Sequence, residues 1–142
     1  MEGKEKGDMK KVLVVGSLNM DMVLSVDHHP VPGETIIGDG ITYHPGGKGA
    51  NQAYAVGKLG GDVRIIGCVG WANNGMLLPE NLAQAGVDTT AINRMPEAPT
   101  GMAIIDVDKK GDNSIIVISG ANACLTPDLL RKQKASVEWS DF

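Results

Sequence analysis

The segment Pro45-Gly46-Gly47-Lys48-Gly49-Ala50-Asn51-Gln52-Ala53 constrains this chain more than any other. Adjacent glycines run into helix-forming residues, so a flexible turn delivers free backbone N–H groups to a helix start. Such groups, with the helix dipole behind them, favour polar or anionic ligands. Lys48 adds a positive charge, and Asn51 a carboxamide one turn further in. A plain loop-to-helix turn is the alternative reading. The standard phosphate cradles do not fit. A Walker loop needs Ser or Thr after Gly-Lys to reach Mg²⁺, and Lys48 is followed by Gly49. Counted from Gly47 and Gly49, the third small residue of a dinucleotide fingerprint falls on Gln52.

Upstream, Val12-Leu13-Val14-Val15-Gly16 is a short apolar run rich in β-branched residues, as a buried parallel strand requires. Ser17-Leu18-Asn19-Met20-Asp21 follows, which places Asn19 and Asp21 just past the strand's carboxyl end, where open α/β sheets bind ligands. An acceptor-only carboxylate beside a carboxamide suits the vicinal hydroxyls of a sugar. An Asx turn closing the strand is the competing reading.

Further elements follow in alternation. Ala50 to Leu59 reads as a helix with small residues for close packing, and Val63 to Val69 as the next core strand. Gly75 to Ala85 has helical character, but Pro79 removes a backbone donor at a cost of about 3 kcal/mol, so the helix is expected to start only near Pro79. Ala91 to Met95, Thr100 to Val107 and Ser114 to Ser119 read as strands, the last two joined in a hairpin by Lys109-Lys110-Gly111-Asp112-Asn113. Thr126-Pro127-Asp128 is a helix start with a Thr cap. Trp71 is expected to fill a surface groove.

Composition narrows the function classes. With 13 basic and 17 acidic side chains the net charge is −4, which gives no basic field for nucleic acid. No apolar run reaches membrane-spanning length, and Met1 to Lys10 reads as a flexible charged leader without a signal core. Cys68 and Cys124, in apolar or small-residue surroundings, read as buried thiols of a cytoplasmic protein rather than a disulfide. No metal site is expected at His28, His29 or His44, because adjacent side chains diverge and no carboxylate or Cys stands at ligand spacing.

Four ordered motifs then carry a resemblance. Asn19-Met20-Asp21, Pro32-Gly33-Glu34-Thr35, the Gly46-to-Asn51 loop, and Gly120-Ala121-Asn122-Ala123 before Leu125-Thr126-Pro127 come in the order of the ribokinase (PfkB-type) carbohydrate kinases. The stretch from Lys11 to Phe142 resembles the N-terminal half of that family. The resemblance implies an α/β fold, a truncated ribokinase-like Rossmannoid three-layer α/β/α domain over residues 11–142. Its small β-sheet lid would come from about residues 20–45 and 90–118. Asn19, Asp21, Gly46, Gly47, Lys48 and Asn51 would bind the sugar, D-ribose or a relative, with Gly46 and Gly47 as the hinge of the lid. One departure stands out: Trp71-Ala72-Asn73-Asn74 follows Val69-Gly70 where the family usually has an acidic residue.

Family chemistry moves the γ-phosphoryl of ATP to a sugar hydroxymethyl oxygen, with an Asp base, a backbone anion hole, Mg²⁺ and often K⁺. The base belongs to a Gly-Ala-Gly-Asp segment, and no such run occurs in these 142 residues. The resemblance therefore places the catalytic base, the ATP segments and the alkali-metal loop beyond Phe142. No catalytic residue and no metal or nucleotide ligand is assigned within the chain. The expected partners are a sugar and either a second copy of the chain or a complementing C-terminal half, because a sheet that stops before its next strand leaves an open edge. A sugar-binding half-kinase, a non-catalytic sugar- or nucleoside-binding protein and a self-associating structural fragment are the three functions the sequence leaves open.

Overall fold

The computed structural model describes residues 9–142, so Met1 to Asp8 of the expected leader lie outside the described residues. Strand β1 (Lys11–Val15) pairs in parallel with β4 (Asp62–Val69), from Lys11↔Asp62 to Val15↔Ile66. Strand β4 in turn pairs in parallel with the three-residue β5 (Ile92–Arg94). Residues along β4 alternate between two covered faces. Val63, Ile65 and Val69 join Val14 in a core with Ala50 and Ala53 of α1 (Lys48–Lys58) and Leu78 and Leu82 of α2 (Asn73–Gln84).

Arg64 leaves β4 on the other side. Its Nε donates to Asp88 at 2.7 Å, its Nη1 to Ser136 Oγ at 3.3 Å, and its guanidinium stacks 4.3 Å from the Trp139 ring. Ser136 and Trp139 belong to α4 (Lys134–Trp139), which follows the short α3 (Pro127–Arg131). Helices thus cover both faces of a parallel sheet, giving three layers. Residues 141 and 142 lie along β1: the Asp141 and Phe142 amides donate to Lys11 O at 2.9 and 3.2 Å, and Leu13 N donates to Phe142 O at 2.8 Å.

A second, mixed sheet has the order β3-β2-β6-β7. Strand β2 (Asn19–Ser25) runs antiparallel to β3 (Gly40–Gly46) and parallel to β6 (Gly101–Val107). Strand β7 (Asn113–Ile118) closes a hairpin with β6. Asp108 Oδ1 holds that turn by accepting from the Lys110 and Asp112 amides, and Gly111 takes φ +86°. Residues 26–39, between β2 and β3, are anchored by histidines. His28 Nε2 lies 2.5 Å from Glu34, His29 Nδ1 lies 2.6 Å from Asp106, and Asp27 pairs with Lys109.

Five expectations change. Asn19 and Asp21 lie past the carboxyl end of β1, as expected, but as residues of strand β2 and not in an Asx turn closing β1. Ile92–Arg94, within the range assigned to the lid, pairs with β4 of the core sheet. Helix α2 starts at Asn73 and carries Pro79 in its interior. Burial of Leu78 and Leu82, each 2% exposed, contributes about 1.5–3 kcal/mol apiece and outweighs the proline penalty. Trp71 fills no groove; it is 63% exposed, with Arg94 5.9 Å from its ring. Cys68 is buried but Cys124 is only half-buried, and both thiols are free. The Thr126 cap is present, with Thr126 Oγ1 accepting from Leu129 N at 3.2 Å. Among the described residues no helix is long and apolar enough to cross a membrane.

Candidate functional site

The site is built where the two sheets meet. Asn19 opens β2 and Asp21 lies two residues on, so both project from one face of the second sheet. On that face Asn19 is flanked by glycines, Gly46 on β3 and Gly101 on β6, and Asp21 stands beside His44 and Ala103. Asn19 is 9% exposed and Asp21 is half-buried. Among the described residues the Asp21 carboxylate makes no hydrogen bond or ion pair. Its burial pushes the carboxyl above the usual carboxylate range, with His44 acting in the opposite sense.

Strand β3 passes into α1 through Gly46 and Gly47. Gly47 takes φ +97° at the N-cap of the helix and supplies no side-chain cap. A β-carbon there would lie 2.5 Å from Ser17 O and 2.9 Å from Asn19 N, so only glycine lets the turn close against the β1–β2 link. Lys48 then opens α1 and is exposed. Asn51, also exposed, donates its amide to Gly47 O at 2.8 Å and carries its side chain on the first turn. Gly46, His44 and Asn51, together with Tyr54 and Asn81, line a cavity of about 270 Å³. Asn19 and Asp21 lie outside its lining, the Asp21 carboxylate against Gly46.

All six residues singled out from sequence (Asn19, Asp21, Gly46, Gly47, Lys48 and Asn51) therefore belong to β2, the end of β3 and the start of α1, which are joined by register and by the Gly46-Gly47 turn. Two neighbours escaped the sequence reading as site residues. His44 is one, visible only once the Asp21↔His44 register is known. Asn122 is the other: its Nδ2 donates to Asn19 Oδ1 at 2.8 Å from a 3₁₀ helix over Gly120–Cys124. Its only sequence signal is membership of the Gly120-to-Ala123 motif. Among the described residues no three His, Cys, Asp or Glu side chains converge.

Comparison with known proteins bears on this geometry. The family described as pfkB family carbohydrate kinase matches residues 9–142. This chain belongs to that family. Among curated relatives of this pfkB chain, the ribokinase of Haemophilus influenzae is 44% identical over 134 residues, covering 94% of the chain and 44% of the relative. Among solved structures, the ribokinase of Thermotoga maritima is 45% identical with a TM-score of 0.78, over 85% of this chain and 40% of that one. An Arabidopsis thaliana ribokinase complexed with ribose and ATP is 35% identical with a TM-score of 0.72, over 80% and 37%. The pfkB chain thus spans less than half the length of these relatives, and they share its α/β fold.

Proposed function

We propose that this chain provides the sugar-gripping part of a ribokinase-like kinase, which transfers the γ-phosphoryl of ATP to the hydroxymethyl oxygen of D-ribose or a related sugar. One observation carries the reading. A carboxylate without a partner among the described residues and a fixed carboxamide share one strand face beside a helix start bearing Lys48 and Asn51. Hydroxyls both donate and accept, and this face offers both complements. Gly46 and Gly47 would let the second sheet swing as a lid about the α1 start.

The reading assigns the base, the anion hole and the ATP site to the part of the relatives' length that this chain does not span. Phosphoryl transfer rests on positioning and charge stabilisation, so the chain alone is expected to bind sugar without turning it over. The two free cysteines suit a cytoplasmic setting. Self-association is also proposed: Ile115, Ile116, Val117 and Ile118 of edge strand β7 are between 47% and 64% exposed.

An ATP-dependent ribose phosphorylation assay, paired with calorimetric titration of ribose, tests the assignment. Ribose binding without turnover, and turnover on adding the C-terminal portion of a ribokinase as a second polypeptide, are expected. Turnover by this chain alone overturns the placement of the base, and absence of ribose binding overturns the grip itself.

A further inference from the structure

Asn122 is tied to the backbone of Leu18, which is fully buried. Leu18 N–H donates to Asn122 Oδ1 at 3.0 Å, and Asn122 Nδ2 donates to Leu18 O at 3.1 Å. A backbone N–H can only donate and a backbone carbonyl can only accept, so this two-point contact leaves the Asn122 carboxamide a single orientation. The second Nδ2 hydrogen then points at Asn19, whose Oδ1 receives it at 2.8 Å. Turning the Asn19 amide over would set two NH₂ groups against each other in a nearly closed site. Gly101 lies beneath this contact, and a β-carbon there would strike both Asn122 Nδ2 and Asn19 Oδ1.

We infer that Asn122 is a positioning residue that fixes the polarity of Asn19, so that Asn19 offers its Nδ2 donors, and Asp21 its acceptors, to the ligand. The inference rests on the proposed sugar site and sharpens it. The ligand oxygen at Asn19 is held as a hydrogen-bond acceptor and the one at Asp21 as a donor, a polarity that two hydroxyl groups of one sugar can satisfy together. Asn122 touches no ligand; it acts through Asn19.

A double-mutant cycle read by ribose titration tests this. Asn122→Asp keeps the acceptor for Leu18 N–H but faces Asn19 with an acceptor, which inverts the Asn19 amide. The substitution is expected to weaken ribose binding at least tenfold in the otherwise unaltered chain, and less than twofold in an Asn19→Ala background. Equal losses in the two backgrounds, or ribose binding unchanged by Asn122→Asp, overturn the inference. A side-chain amide NMR measurement on the unaltered chain decides the case if Asn122→Asp fails to fold or if the chain binds no ribose, the latter being a failure of the sugar reading alone. Slow exchange of the Asn122 Nδ2 protons supports the inference, and free-amide exchange overturns it.

Discussion

The carboxylate of Asp21 lies against the α-carbon of Gly46, although Gly46 is paired in register with Asn19. A β-carbon at Gly46 would fall closer than 3.0 Å to Cγ, Oδ1 and Oδ2 of Asp21. Gly46→Ala must therefore push the carboxylate aside. The carboxylate is the free end of a half-buried side chain, so it can give way at little cost to stability. Ribose affinity is expected to fall at least tenfold by calorimetry, with little change in melting temperature. Binding at wild-type strength in Gly46→Ala would show that the Asp21 position does not matter to the ligand.

Sugar binding should weaken in acid sooner than an ordinary carboxylate would predict. Burial raises the Asp21 carboxyl above its usual value of 3.8, so its acceptors are lost as pH falls through that raised value. The sign for stability is opposite. A folded-state value above the unfolded one means that the ionised group weakens the fold at neutral pH, and protonation relieves this. Asp21→Asn should melt no lower than wild type at pH 7 while binding ribose far more weakly, and its residual binding should not vary between pH 4 and pH 7.

The 26–39 segment should loosen as pH rises. Hydrogen bonds that His28 donates to Glu34 and Asp27 raise its value, and the bond that His29 donates to Asp106, followed by the neighbouring charges, raises that of His29. Their contribution is fully present below the unfolded value of 6.5 and is lost as pH climbs through the higher folded values. The partner carboxylates, lowered in the fold, give theirs up only in strong acid. Amide exchange of residues 26–39 is expected to accelerate, beyond its intrinsic pH dependence, above neutrality. His28→Gln with His29→Gln should remove that extra acceleration.

Pro79→Ala should stabilise the chain. The proline leaves the Gly75 carbonyl without its helical donor, and alanine supplies one without adding side-chain bulk. A gain of about 1–3 kcal/mol in urea unfolding is expected, with ribose affinity unchanged. A loss of stability would mean that the ring itself packs usefully against its surroundings.

The apolar runs made β1, β4 and the β6–β7 hairpin legible in the sequence, and Thr126-Pro127 announced α3. Other features depend on partners remote in the chain. Gly16-Ser17 looks like the end of a strand, and nothing local shows that Asn19 begins another; its neighbours Gly46 and Gly101 supply the ladder. Ile92–Arg94 is too short to declare its sheet, which is decided by pairing at Gly67 to Val69. The break between α3 and α4 at Lys132-Gln133 carries neither proline nor glycine, and Gln133 leaves helical geometry with φ −107° and ψ 25°. At the site, the glycine turn and Asp21 were visible as chemistry. Asn122, 103 residues from Asn19, becomes a site residue only when the chain is folded.

The second sheet is woven from two separated stretches, with β2 held between β3 and the much later β6. No single continuous segment of the gene encodes it. Exchanging this sheet between relatives would require simultaneous replacement of residues 19–46 and 101–118. A graft of either piece alone would mate one protein's strands to another's across the β2–β6 seam.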